Sequence, residues 1–185
     1  MRLTLLLLLG LSVVRIAAAG VVPREFFDER TGATVTVAHD ALVFPVESPT
    51  VSMMDKSDYV SLTAVQINRS GEIQLYLVAF DWSTDDRLSQ PITLWMTERQ
   101  LELVPLDEYP RDLPGDRQLL AAFSKMKRAA YRTTPEILAE MAASKHLKLR
   151  LNAVPKSPDD SPDSGEVWEG AKALTAFVNF ISASP

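Results

Sequence analysis

The sequence contains no cysteine and only two histidines among its 185 residues. The lack of cysteine excludes disulfide bonds, thiolate metal sites, cysteine nucleophiles and the lipid-bearing cysteine of bacterial lipoproteins. Small secreted domains of eukaryotes often rely on disulfides because their cores are small. This chain must be stabilised by packing alone, which suits the bacterial periplasm or exterior.

The chain also lacks an excess of positive charge, since its formal net charge is −5. Without Arg2 and Arg15, 17 basic residues remain against 24 acidic residues, and the net charge becomes −7. Nucleic-acid binding draws much of its affinity from basic residues that neutralise phosphates. We therefore expect no nucleic-acid partner and no docking on an anionic membrane surface.

No apolar run reaches the roughly 20 residues that span a bilayer comfortably. The main candidate lies at the start, where Arg2 precedes an apolar run over 3–14 and the small residues Ala17-Ala18-Ala19-Gly20. This order is typical of a secretory signal peptide. We predict a signal peptide over 1–19 with cleavage after Ala19, and a periplasmic or secreted protein with no stable membrane span after cleavage. An uncleaved N-terminal anchor is the alternative.

Residues 20–105 have the pattern of short β-strands separated by turn residues. Thr31-Gly32 and Asp40 are predicted hairpin turns, and Pro45 predicts an edge strand or a strand end because proline cannot donate to a ladder. The six predicted strands are 34–37, 42–46, 59–67, 72–81, 92–96 and 100–104.

The strongest hairpin signal joins the runs 59–67 and 72–81 through Asn68-Arg69-Ser70-Gly71, which fits a four-residue loop. Asn68 also begins a glycosylation sequon, but a turn role explains these residues better. Both faces of the second run are apolar, which predicts a central strand covered on each side. One face carries Ile73, Leu75 and Leu77, and the other carries Tyr76, Val78 and Phe80.

The second half is predicted to contain a connector over 106–132 and a helix–strand–helix tail over 133–185. Residues 119–132 fit a helix or an extended segment. The tail helix begins with Thr133 in a capping box, or with Thr134 as the cap and Pro135 at the first position. A strand over 147–151, a short strand over 166–168 and an amphipathic helix over 170–181 follow.

Together these patterns predict one exported domain over 20–185. Its fold class is α+β and predominantly antiparallel β, either sandwich-like or a strongly bent sheet, with a C-terminal helix–strand–helix extension. The pattern does not decide whether the tail continues the sheet or forms a separate subdomain.

The densest group of reactive side chains lies in the stretch Phe80–Arg87. Asp81, Ser83 and Asp85 match the start of a calcium loop, but Asp86 stands where that loop needs glycine and Ile92 where it needs a bidentate acid. A looser calcium site built from the three aspartates is the remaining metal alternative. We therefore predict no metal site and no cofactor.

Catalytic signals are also lacking, because no G-x-S-x-G nucleophile motif occurs and neither histidine stands in a recognisable motif. His39 precedes an aspartate in a predicted turn, and His146 follows a predicted helix, where a cationic imidazole suits the helix dipole. The sequence thus predicts no catalytic residues.

Trp82 is the aromatic residue that suggests binding, because it follows a strand end among polar groups. Trp95 and Trp168 are expected in core or hairpin packing. We predict a ligand- or partner-binding site at the strand-to-loop transition, formed by Asp81, Trp82, Asp85, Asp86 and Arg87.

Several short segments in the first half of the mature chain carry a family resemblance: Asp28…Thr31-Gly32-Ala33-Thr34-Val35, Leu42-Val43-Phe44, Asp58-Tyr59-Val60-Ser61-Leu62, Asn68-Arg69-Ser70-Gly71 and Trp82-Ser83-Thr84. In them the chain resembles a family of small exported proteobacterial envelope proteins whose function is unknown. The resemblance implies export and a β-rich fold, and it implies no activity. Some members look lipid-anchored, whereas this chain lacks the anchoring cysteine.

The sequence therefore favours an exported, non-enzymatic binding or envelope-interaction module whose partner is an envelope protein or a small ligand. The alternative is a small carboxylate- or metal-dependent hydrolase that uses the loop Asp81–Asp86. A third interpretation is an assembly factor whose edge strand near Pro45 pairs with another protein.

Overall fold

A computed structural model of the chain describes residues 21–46, 58–81, 87–113, 127–151, 164–166 and 170–183. The predicted signal peptide, Trp82, Asp85, Asp86 and Trp168 lie outside these residues. The elements are, in chain order, β1 (Arg24–Asp28), β2 (Ala33–Val37), β3 (Leu42–Val46), β4 (Asp58–Arg69), β5 (Glu72–Asp81), a 3₁₀ helix (Arg87–Ser89), β6 (Ile92–Trp95), β7 (Gln100–Leu103), β8 (Lys127–Thr133), α1 (Pro135–Ala143), β9 (Lys148–Leu151), β10 (Ser164–Glu166) and α2 (Ala171–Ala183).

The strands form two antiparallel sheets. The larger sheet has the order β1-β2-β4-β5-β8, with β3 also paired to β4, and the smaller has the order β10-β9-β6-β7. Every strand pairing recorded among the described residues is antiparallel. The predicted α+β fold dominated by antiparallel strands is therefore confirmed.

Strand β5 lies between β4 and β8 and is buried on both faces from Leu75 onward, as its sequence predicts, whereas Ile73 near its start is exposed. Leu75, Leu77 and Ala79 belong to a large apolar cluster on one face, whereas the alternate residues belong to a second cluster. The alternation follows from the two-residue period of a strand, which sends successive side chains to opposite faces.

The two apolar clusters are covered by different parts of the chain. The larger cluster joins side chains of both sheets to Leu138 and Met141 of α1 and to Leu174 and Phe177 of α2. The smaller cluster, on the opposite face of the large sheet, is covered by Leu106, Tyr109 and Leu113 of the segment after β7. This segment brings polar residues to the edge of β8, where the candidate site lies.

The hairpin between β4 and β5 is tighter than its sequence predicts. Arg69 pairs with Glu72, so the turn contains only Ser70 and Gly71, with φ values of 52° and 93°. Two consecutive residues of positive φ are typical of a type I′ turn, whose twist matches that of the flanking strands. The predicted four-residue loop is wrong, although the Asn68 side chain does accept a hydrogen bond from the Gly71 N–H at 2.9 Å.

Asp40 does not form the predicted hairpin turn. β2 and β3 both run antiparallel to β4, where Val37 pairs with Val65 and Leu42 pairs with Leu62. Four residues, 38–41, therefore oppose only two residues of β4, which makes the break a bulge rather than a reversal of the chain. The predicted turn at Thr31-Gly32 is confirmed, and it joins β2 to β1, a strand that the sequence analysis missed.

The predicted connector 106–132 contains a strand, since β8 begins at Lys127 and pairs with β5. This strand decides between the two interpretations of its sequence in favour of an extended segment from residue 127 onward. The connector prediction is wrong there because β8 is rich in alanine and arginine, which give a weak strand signal.

The tail follows the predicted order of helix, strand, strand and helix. Thr134 caps α1, with its side-chain oxygen accepting from the Ile137 N–H at 3.3 Å and Pro135 at the first position. β9 pairs with β6, so the tail adds a strand to a sheet begun in the first half. β10 ends at Glu166, where the predicted strand 166–168 begins. Among the described residues no helix is long and apolar enough to cross a membrane.

The start of α2 depends on Gly170, which has a φ of +89°. A Cβ atom at this position would lie 2.1 Å from the backbone oxygen of Ala41, in the bulge between β2 and β3. Gly71 has a similar φ of +93°, but a Cβ atom there would meet no atom within 4 Å. A substitution at Gly71 therefore tests the conformational cost alone, whereas a substitution at Gly170 tests this cost together with that of close packing.

We predict that Gly170→Ala lowers the free energy of unfolding by about 3 kcal/mol or more, since it adds a backbone clash to the left-handed conformation. The control Gly71→Ala incurs only the conformational cost of about 1–2 kcal/mol. Urea unfolding of both variants measures the difference. Equal losses of stability would contradict the close approach of Gly170 to the bulge.

Candidate functional site

Asp81 and Arg87, two of the predicted binding residues, form a buried ion pair. The Arg87 Nε atom lies 2.9 Å from one carboxylate oxygen of Asp81, and its Nη2 atom lies 2.5 Å from the other. The Asp81 side chain is fully buried and that of Arg87 is 10% exposed. This two-point geometry is the strongest form of an arginine–carboxylate contact.

The position of the pair follows from the strand pattern. Asp81 continues the row of Leu77 and Ala79, so its carboxylate points toward the larger apolar cluster. A buried charge costs several kcal/mol unless a partner of opposite charge compensates it. Arg87, the next described residue along the chain, supplies that partner.

Tyr131 of β8 lies close enough to Asp81 for the two groups to interact electrostatically. Its side chain is fully buried in the larger cluster. Burial raises the pKa of Tyr131 well above the ordinary value of 10.0, and the negative charge of Asp81 raises this pKa further. The hydroxyl therefore stays protonated at neutral pH and cannot serve as a base.

The predicted site residues thus fall into two groups. Asp81 and Arg87 are brought together in a buried ion pair. The predicted ligand contacts of Trp82, Asp85 and Asp86 lie outside the described residues and stay predictions.

Neither histidine contributes to this site. His39 is exposed, and its Nδ1 atom lies 2.9 Å from Asp40. His146 is also exposed and follows the end of α1. No group of three or more metal-ligating side chains occurs in the part of the chain that the structure describes.

A cleft adjoins the ion pair on the outer side of β8, and we call it the β8 cleft. It is open to solvent and has a volume of about 370 Å³. Its wall begins with Leu88, directly after Arg87, and includes the segment after β7. The residues that line it are Leu88, Ser89, Pro105, Leu106, Asp107, Tyr109, Arg128, Ala129 and Ala130.

The walls of the β8 cleft are fixed by contacts between distant segments. The Leu106 N–H donates to the backbone oxygen of Ala130 at 2.9 Å, which holds the segment after β7 against β8. The guanidinium carbon of Arg128 lies 4.2 Å from the centre of the Tyr109 ring. This cation–π contact joins two residues of the cleft wall.

The sequence analysis missed the β8 cleft because its residues come from the predicted connector and from the unrecognised strand β8. A usable signal was the alternation in β8, where Ala129 and Tyr131 point to one face and Arg128, Ala130 and Arg132 to the other. Alanine has a low preference for strands, so these residues do not indicate one in the sequence. Their small side chains let the neighbouring segments approach closely.

Known proteins supply no further assignment: no protein family, curated protein or solved structure matches this chain. The resemblance to exported envelope proteins therefore stays a prediction.

We predict that Asp81→Asn lowers the free energy of unfolding by about 3–5 kcal/mol, because it removes the carboxylate that compensates the buried charge of Arg87. The matched control is Glu140→Gln in the exposed pair with Arg99, whose side chains are 35% and 49% exposed. Exposed pairs contribute little, so this control should unfold near the native midpoint. Urea unfolding measures both variants.

The double variant Asp81→Leu, Arg87→Met should recover most of the stability lost in Asp81→Asn, because buried ion pairs are commonly replaceable by apolar side chains of similar size. A single variant as stable as the Glu140→Gln control would contradict the structural importance of the pair.

Because the pKa of Tyr131 is raised in the folded protein, we expect this residue to cause a loss of stability at high pH. Above about pH 10 the unfolded chain releases the Tyr131 proton while the folded chain keeps it, so this residue lowers the free energy of unfolding by about 1.4 kcal/mol per pH unit. Below that pH Tyr131 is protonated in both the folded and the unfolded chain, so its full contribution to stability is present. Tyr131→Phe should therefore show a shallower alkaline decline in urea unfolding at pH 9–11.

The alkaline decline should not vanish in Tyr131→Phe, because burial also raises the pKa of Tyr76. A comparison of the two proteins at pH 7 separates the packing effect of the substitution from its effect on titration. If the free energy of unfolding of the two proteins declined in parallel with rising pH, the raised pKa of Tyr131 would be contradicted.

Proposed function

We propose that the chain is an exported, non-enzymatic binding protein whose ligand occupies the β8 cleft. The observation that carries the proposal is the contact of the Arg128 guanidinium with the Tyr109 ring in the wall of a solvent-open cleft. In small-molecule sites, a few precisely placed polar groups fix the orientation of the ligand. The volume of about 370 Å³ suits a small ligand.

Two contacts make the cleft a preformed site. The backbone bond from Leu106 to Ala130 fixes one wall, and the ion pair of Asp81 with Arg87 anchors the residue that precedes Leu88 on the other. A preformed site binds more tightly because less conformational entropy is lost when the ligand arrives. The predicted binding residues Trp82, Asp85 and Asp86 lie between Asp81 and Arg87 in the sequence.

Binding is favoured over hydrolysis by the groups that the described residues offer. Both Asp81 oxygens accept from Arg87, so this carboxylate is already engaged as the structural partner of a cation. The cleft supplies one carboxylate, Asp107, whereas glycoside hydrolysis typically needs a positioned pair. Among the described residues that line the cleft there is no histidine, so this wall supplies no imidazole base for a serine nucleophile.

Export is supported by the N-terminal sequence rather than by the fold. Arg2, the apolar run 3–14 and the small residues up to Gly20 have the order of a signal peptide. The absence of cysteine agrees with a bacterial exported protein that is stabilised by packing. We place the mature protein in the periplasm or outside the cell.

We predict that a thermal-shift screen of small polar metabolites yields at least one class of stabilising compound, and that Arg128→Gln abolishes this stabilisation. A ligand at about 100 times its dissociation constant adds about 2.7 kcal/mol to the free energy of unfolding.

The matched control is Arg132→Gln, an exposed arginine on the same face of β8 but outside the cleft wall. This variant should keep the response of the native protein. A flat screen for the native protein would overturn small-ligand binding and leave an envelope protein as the remaining partner.

A further inference from the structure

β1 forms an outer edge of the larger sheet. Among the described residues it pairs only with β2, whereas β2, β4 and β5 each have a strand on both sides. A strand that is paired on one side presents a row of backbone N–H and C=O groups on the other, and this row is a template for one more strand. The outer side of β1 lies at the opposite end of the sheet from the β8 cleft.

The other outer strands carry features that discourage such pairing. β3 contains Pro45, which has no backbone N–H to donate, and β7 and β10 have only four and three residues. The backbone oxygen of Ala130 in β8 accepts from the N–H of Leu106, in the segment after β7. β1, in contrast, has five residues without proline or lysine, and its Phe27 side chain is 62% exposed. An exposed aromatic side chain on such an edge points to a partner strand.

The length and sequence of β1 limit the ways in which two copies of it can pair. In a two-fold antiparallel pair, each contact between two positions occurs twice. The axis is perpendicular to the joined sheet, so side chains that oppose each other have to lie on the same face. Because successive side chains alternate between the faces, the axis passes through a residue and not between two residues. Axes through Glu25, Phe26 and Phe27 are therefore the registers to compare.

Two of these registers bring like charges together. An axis through Glu25 places this carboxylate opposite Glu25 of the second copy, and an axis through Phe27 places Glu25 opposite Glu29 at the end of the strand. In both cases only three residues of β1 pair with residues of β1. Like charges directly opposite each other destabilise a strand pair.

An axis through Phe26 pairs all five residues of β1 and opposes no like charges. Arg24 faces Asp28 of the second copy at each end of the pair. Glu25 faces Phe27, and the two Phe26 side chains face each other at the centre. Phe26 packs against the smaller apolar cluster, so the two rings extend this cluster from one copy to the other. The charges and the apolar side chains of β1 thus select the same register.

The charged residues at the ends of β1 also have contacts within their own chain. Arg24 takes part in a further interaction, and Asp28 accepts hydrogen bonds from the Arg30 N–H at 3.0 Å and the Thr31 hydroxyl at 2.8 Å. The dimer requires no hydrogen bond between Arg24 and Asp28, because the backbones hold the two strands together. The opposite charges serve to exclude the other registers.

We infer that β1 is a dimerisation strand: two copies of the chain pair β1 with β1 about an axis through Phe26, which joins their larger sheets into one. The inference goes beyond the proposed function and does not depend on it, since β1 contributes no residue to the lining of the β8 cleft. In the dimer, one β8 cleft lies at each end of the joined sheet.

The test is sedimentation equilibrium of the native protein from about 1 to about 500 µM, a range that covers the affinities of small interfaces. At about 0.15 M salt, charges more than about 8 Å apart are screened, while those on facing strands still interact. We expect a reversible equilibrium between monomer and dimer. Phe27→Glu should raise the dissociation constant about tenfold or more, because it places a carboxylate opposite Glu25 twice in each dimer.

The matched control is Val104→Glu, since Val104 is also 62% exposed and lies outside β1. This variant should keep the native dissociation constant. Adding Glu25→Lys to Phe27→Glu turns the two repulsive contacts into attractive ones, so the double variant should recover most of the lost affinity. Urea unfolding checks that each variant keeps its fold, which the exposure of the three substituted side chains favours.

Hydrogen exchange supplies a readout that needs no variant. Backbone amides of β1 should exchange more slowly in the native protein at high concentration than at low concentration, and Phe27→Glu should abolish this difference. A native protein that stays monomeric throughout would overturn the inference, even if β1 bound a strand of another protein. A dimer that is insensitive to Phe27→Glu, or is weakened equally by Val104→Glu, would also overturn it. Failure of the double variant to recover affinity would overturn the register.

Discussion

The burial of both faces of β5 is the constraint on which the rest of the fold depends. A strand covered on two sides needs a packing layer on each, and this chain supplies them from different segments. The smaller sheet and the two helices contribute to the larger cluster on one face, and the segment after β7 covers the other. Neither layer is optional, because each removes a row of apolar side chains from water.

The same constraint explains the ion pair. A strand buried on both faces brings its last residue, Asp81, into the apolar interior, where a carboxylate needs a counter-charge. Arg87 provides it at the start of the 3₁₀ helix, directly before Leu88 and Ser89 of the cleft wall. The electrostatic requirement of the strand end thereby fixes the position of one part of the β8 cleft wall.

The sequence predicts the long strands well and their connections poorly. The two-sided pattern of β5 and the capped start of α1 are recoverable because burial and backbone satisfaction are encoded within a few residues. The type I′ turn at Ser70-Gly71 and the bulge over 38–41 are not, since both are fixed by the register of β4 with its neighbours. Local composition cannot express such a register.

The candidate site follows the same division. The reactive side chains near Asp81 and Arg87 can be recognised in the sequence. That Asp81 and Arg87 neutralise each other inside the protein is revealed only by the structure. The β8 cleft joins residues around 88, 107 and 128, and no spacing rule connects positions so distant. A short sequence motif would not indicate the cleft either. Its chemistry depends on the contact of Arg128 with Tyr109, which lie in different segments of the chain.

The pairing of β6 with β9 has a consequence for how the chain acquires its structure. Leu94 finds its partner Leu149 only after the whole of β8 and α1 has been made, so the smaller sheet closes across a long stretch of sequence. Contacts of such sequence separation are formed late and slowly, because the loop between them must first lose its entropy. The larger apolar cluster is therefore complete only when the last third of the chain is present.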